Sequence, residues 1–109
     1  RIKGKRMMET NILAQEKPKT IKLADGRDYI LPPIDLTTLA NIEKTMGFGL
    51  GRFANKMEIE PMTTLRALTY ALLKENHPEL TMESVGHLIT LKEIATLSET
   101  ISIIMAISS

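Results

Sequence analysis

The chain has 109 residues, 43% of them hydrophobic and 25% charged, with no cysteine and a formal net charge of +1. That length makes one domain with a real core but leaves little room for a deep catalytic cleft. The lack of cysteine excludes disulfides and thiolate chemistry, which suits a cytoplasmic protein, and there is no apolar run of transmembrane length.

The charge is unevenly spread. Residues 1–22 hold seven basic side chains (Arg1, Lys3, Lys5, Arg6, Lys17, Lys19, Lys22) against Glu9 and Glu16, a local excess of +5. The rest of the chain holds seven basic and eleven acidic side chains, or −4. Such a leader reads either as a nucleic-acid-binding arm or as a solvated tail. No aromatic residue is interleaved with its charges, and the uncharged stretch Thr10–Gln15 splits them. Residues 1–18 are therefore expected to form a basic, disordered leader, and 19–109 the folded domain. The opening Arg-Ile-Lys-Gly-Lys-Arg lacks the apolar stretch that a signal peptide would carry next. A first residue other than methionine reads as trimming or an artificial junction, with Met7 or Met8 nearer the natural start.

Thr20 to Leu31 carries two short alternating runs around Asp25-Gly26, a hairpin-turn dipeptide. Side-chain parity chooses the loop. A two-residue turn would set Leu23 opposite Asp28 and split the apolar residues between the two faces. A three-residue loop, Ala24-Asp25-Gly26, sets Leu23 opposite Arg27 and Ile21 opposite Tyr29. Ile21, Leu23, Tyr29 and Leu31 then share one face, and Gly26 takes the left-handed position of a bulge. A lone hairpin is marginal in water, so helices must cover that face.

Pro32-Pro33 stops the second strand. Asp35 is an N-cap before Leu36, Leu39, Ala40, Ile42 and Met46, which recur at helical spacing, and Gly47 is a left-handed C-cap. Residues 47–60 read as an irregular loop. Pro61 opens a second helix to about Asn76, with Met62, Leu65, Leu68 and Leu72 as its stripe; it is expected to be the central, most buried helix. Asn76-His77-Pro78 ends it. Thr81 caps a short helix to about Leu88, with Glu83 in its first turn. Gly86 inside that helix predicts close approach of another backbone. Thr90-Leu-Lys-Glu93 is a capping box for a last helix running to the chain end, with Ile94, Leu97, Ile101, Ile104 and Met105 on one face.

Chemistry is sparse. Gly47-Phe-Gly-Leu-Gly51 superficially resembles a phosphate loop, but it follows a helix, and Arg52-Phe53 stands where a Walker motif needs Lys-Ser/Thr. His77 reads as an exposed cap in a proline turn and His87 as a surface or half-buried helical residue. A metal site made from these with Glu75, Glu79 or Glu83 is not expected, since neither i, i+4 His spacing nor a Cys cluster is present. The serines and threonines lack a placed histidine base. The expectation is no catalytic residue, no cofactor and no metal.

Ile101-Ser-Ile-Ile-Met-Ala-Ile107 is apolar almost all round. Ile94, Leu97 and Ile101 are assigned to the core, while Ile103 and Ile107 point well away from the face Ile94 and Ile101 share. Ile103, Ile104, Met105 and Ile107 are therefore the candidate protein-binding residues, for a partner or for self-association.

The order of elements resembles the tail assembly chaperones (tail-component proteins) of long-tailed phages, prophages and gene transfer agents. The likeness runs over about residues 20–90. It rests on the Leu-x-Asp-Gly-x-x-Tyr hairpin, on Asp35-Leu-Thr-Thr-Leu-Ala-Asn-Ile-Glu-Lys-Thr-Met-Gly47, and on Thr64-Leu-Arg-Ala-Leu-Thr-Tyr-Ala-Leu-Leu73. His77-Pro-Glu-Leu-Thr-Met-Glu-Ser-Val-Gly-His-Leu-Ile89 completes it. The resemblance implies a small α+β protein that is not an enzyme, coats the helical tape-measure protein, helps recruit tail-tube subunits in the bacterial host cytoplasm, and then leaves. Such families also make a longer form by translational frameshifting. The expected fold is α+β: one N-terminal β-hairpin packed against three or four α-helices in a single small domain. The rival reading is a nucleic-acid-binding module using the basic leader. It is disfavoured because the folded body is acidic and shows no recognition-helix pattern of exposed Arg, Asn and Gln.

Overall fold

The computed structural model describes residues 19–108; the leader expected at 1–18 lies outside the described residues. Strands β1 (Thr20–Lys22) and β2 (Asp28–Ile30) pair antiparallel with Ile21 opposite Tyr29. The loop between them is the three-residue one that parity selects. The Leu23 N–H donates to Arg27 O at 3.1 Å, the Gly26 N–H donates to Leu23 O at 2.9 Å, and Gly26 has φ 83°. Ile21, Leu23, Tyr29 and Leu31 are all buried, so the hairpin turns one apolar face into the core.

Among the described residues six α-helices follow, two or three more than expected, giving a mostly helical α+β domain. Helix α1 (Leu36–Met46) begins at Asp35, whose carboxylate accepts from Thr38 N–H at 2.9 Å. It ends at Gly47, at φ 88°. Its buried stripe is narrower than the apolar spacing suggests. Leu36 and Ala40 are exposed, standing about 120° and 160° round the helix from the buried Ile42, whereas Leu39 and Met46 lie within about 60° of it.

Residues 47–60 are not an irregular loop. A 3₁₀ turn, Leu50–Arg52, leads into helix α2 (Phe53–Ile59), with Leu50 and Phe53 buried. Neither has a cap in its own neighbouring sequence. The Leu50 N–H donates to Glu43 Oε2 at 2.7 Å, and the Ala54 N–H donates to Ser108 Oγ at 2.8 Å. The orphan donors of these starts are met from α1 and from the far end of the chain.

Helix α3 (Pro61–Leu73) is the central helix, burying Thr64, Leu65, Leu68, Thr69, Ala71, Leu72 and Leu73 and packing on α1, α2 and the next helix. Its buried hydroxyls stay within reach of carbonyls: Thr69 Oγ1 donates to Leu65 O at 2.9 Å and Thr64 Oγ1 to Lys56 O at 3.2 Å. It stops at Leu73, short of Asn76, and Met62 faces solvent at 63% exposure rather than joining the core stripe.

Helix α4 (Met82–Leu88) starts at Thr81, which exchanges capping bonds with Ser84: Ser84 N–H donates to Thr81 Oγ1 at 3.0 Å and Thr81 N–H to Ser84 Oγ at 2.8 Å. The neighbour that Gly86 admits is a side chain, not a backbone. A Cβ there would lie 3.0 Å from Arg66 Cδ, so the arginine stem rests across the glycine. The expected single last helix is two. Helix α5 (Leu91–Thr96) opens at Thr90, where Glu93 Oε1 accepts from both the backbone N–H and the hydroxyl of Thr90. Leu97 then turns the chain with ψ near 0°, its N–H shared between Glu93 O and Ile94 O, and helix α6 (Ser98–Ser108) follows. The break buries Leu97 and lets α6 pack on the 3₁₀ turn and α2, while Ile94 and Ile101 are only half-buried.

Candidate functional site

Helix α6 carries the four residues singled out as a binding surface, and the structure divides them. Ile104 is fully buried at 0% exposure and belongs to the core, so it is removed from that surface. It stands seven residues, two turns, after the buried Leu97, flanked by the half-buried Ile101 and Met105. Met105 is half-buried against the core and borders a shallow groove shared with Ala54 and Met57 of α2. Ile103 and Ile107 are 40% and 45% exposed, four residues apart and so on one face. Ser102 and Ala106 are exposed beside them, and Glu99 is the charged residue of this helix. The face is apolar, with Glu99 one turn before Ile103 as its one charge.

Other apolar side chains reach solvent where the sequence pattern assigned core or loop. Ile59 and Met62 flank the α2–α3 corner, and Leu91 opens α5. Between α3 and the α4–α5 corner lies a groove of about 340 Å³ walled by Met62, Leu65, Ile89 and Ile94. Arg66, Glu83 and the exposed His87 stand at its edge. Met62 could be found from sequence only by noticing that it precedes the Thr64–Leu65–Leu68 face by most of a turn, at the start of the helix.

His77 is not the exposed cap expected of it. Its ring is only 12% exposed, its Nε2 accepts from the Ile30 N–H at 2.8 Å, and it meets the Tyr29 ring edge-on at 4.8 Å. The signal for this was absent, because the partner is a strand 47 residues earlier. The ionisable groups with displaced protonation are engaged in local structure. Thr90's hydroxyl and N–H hold Glu93 below the usual carboxylate range. Tyr29's hydroxyl, donating at 2.6 Å, does the same for Asp25. Burial raises Tyr29 in turn, with the Asp25 bond adding to it. Among the described residues no group of three or more His, Asp or Glu is placed to hold a metal, and no helix is long and apolar enough to cross a membrane. What this surface offers chemically is apolar area with little charge. No protein-family model, curated protein or solved structure matches the chain.

Proposed function

We propose that this chain is a non-enzymatic, phage-type tail assembly chaperone that binds apolar helical surface of a tape-measure protein in the bacterial cytoplasm. Tail-tube protein is its second partner, and copies of the chain associate through the same kind of surface. The observation that carries this reading is the outward pair Ile103 and Ile107 on a helix face whose one charged side chain is Glu99, a turn before Ile103, with Ile104 buried in the core. The resemblance over residues 20–90 supplies the partner, and an α+β hairpin-and-helix domain is the fold that resemblance implies. An exposed pair of isoleucines at i, i+4 suits the apolar stripe of a long amphipathic helix, and a surround with a single charge tolerates many registers along it. The test is co-expression with the very long, helix-rich protein expected to be encoded beside it. Co-purification that survives moderate salt supports the reading, and the lack of any such neighbour, or of any complex, counts against it.

A further inference from the structure

β2 has one edge paired with β1, and the N–H and C=O of Ile30 point from its other edge. Such groups on a hairpin edge ordinarily face water. Here both are taken by the connection between α3 and α4. The N–H of Ile30 donates to His77 Nε2 at 2.8 Å, and Asn76 Nδ2 donates to Ile30 O at 3.4 Å. A neutral imidazole has one acceptor nitrogen, so this bond fixes the proton on Nδ1. Nδ1 lies 3.9 Å from Glu79 Oε2.

We propose that His77 is a pH-sensitive latch on the β-hairpin: the neutral ring holds β2 to the α3–α4 corner, and protonation releases it. An imidazolium carries hydrogens on both nitrogens, so the gain of a proton turns Nε2 from acceptor into donor. Two donors then face each other across the 2.8 Å contact with Ile30, and the bond is lost. The groups around the ring bear on this from both sides. On the α3–α4 connection, Glu79 attracts the charged ring, but its side chain is 55% exposed and the attraction is screened by solvent. On the hairpin, Tyr29 presents its ring, its hydroxyl is bound to Asp25, and the Arg27 guanidinium lies 5.3 Å from the Tyr29 ring centre. None of these offers a new partner to the Ile30 N–H. Release is local, because Ala24 N–H still donates to Leu88 O at 3.0 Å at the other end of the hairpin.

The experiment is amide hydrogen exchange at Ile30, followed by NMR on the full chain at about pH 7.5 and about pH 5.5, which bracket the titration of most histidines. Rates are corrected for the intrinsic pH dependence of exchange. In the wild type, protection at Ile30 is expected to fall about tenfold on acidification, the loss of roughly one hydrogen bond. His77→Gln keeps an acceptor oxygen in place of Nε2 and cannot titrate, so its Ile30 protection is expected to be the same at both pH values. A wild-type Ile30 amide whose protection does not change, or one that changes equally in His77→Gln, overturns the latch. Should His77→Gln fail to fold, the wild-type ring ¹⁵N shifts decide. Nε2 unprotonated at neutral pH and protonated when Ile30 opens supports the latch, and Nε2 protonated at neutral pH overturns it.

Discussion

Ser108 caps a helix whose second residue lies 54 residues earlier: its hydroxyl accepts from the Ala54 N–H at 2.8 Å and lies 3.4 Å from Gly51 O, to which it donates. Helix α2 has Arg52 at its N-cap, with no side-chain cap bond of its own. The end of α6 therefore substitutes for a local Ser, Thr, Asp or Asn. Ser108→Ala leaves the Ala54 N–H without that acceptor and is expected to lower Tm by about 5 °C, a typical N-cap loss in a domain of this size. Thermal unfolding by circular dichroism measures it, and an unchanged Tm would mean the cap adds nothing.

Gly47 ends α1 at φ 88°, and a Cβ built there meets nothing within 4 Å. The strain of a substitution is then purely conformational. Gly47→Ala is expected to cost about 1 kcal/mol and Gly47→Asn less, since asparagine tolerates the left-handed region better. Urea unfolding midpoints give the order, and equal losses for both would contradict it.

Glu93 gives a pH prediction with a definite sign. Its carboxyl is held below its ordinary value of 4.5 by the Thr90 hydroxyl and backbone N–H. The ionised form is favoured by folding, so its contribution is present above the ordinary value and is lost as pH falls through the lower, folded-state value. Wild type should lose stability on going from about pH 5 to about pH 3, and Glu93→Gln should lose less over the same interval. Asp25 and Asp35, also held low by hydrogen bonds, act in the same direction in both proteins. Parallel stability curves for the two would show that the capping bond does not discriminate the charged form.

Core and surface on α6 separate by one residue. Ile104→Asp puts an unpaired carboxylate at a fully buried position and is expected to abolish the folded state, as is Leu97→Asp. Ile103→Asp and Ile107→Asp leave their carboxylates in water and should keep the native circular dichroism with stability changed by about 0.5 kcal/mol or less. A folded Ile104→Asp would place the face of α6 differently.

What could be read from the chain was local. The hairpin register followed from side-chain parity, and the ends of α1, α4 and α5 from Asp35, Gly47, Thr81 and Thr90, because each of these features is complete within a few residues. α2 was hidden because its start is satisfied by Glu43 and Ser108 rather than by its own sequence. The turn at Leu97 was hidden because a buried leucine in an apolar run carries no breaking signal, and the need to fit α6 against the 3₁₀ turn and α2 is tertiary. Periodicity puts Ile103 and Ile107 outside and Ile104 on the face of Leu97, so Ile104's place among the candidate binding residues is what the structure corrects. His77 and Gly86 were misread for one reason: their partners, Ile30 and Arg66, lie on other elements.

The most direct measurement is titration of the domain with purified helical segments of the tape-measure protein, by calorimetry, for wild type and for the Ile103→Asp/Ile107→Asp double variant. A binding surface on the outer face of α6 predicts that wild type binds and that the double variant, with native circular dichroism, loses at least about tenfold in affinity, since an interface would bury its carboxylates unpaired. Equal binding by the two proteins would contradict that surface, and no binding of wild type to any segment would contradict the proposed chaperone function itself.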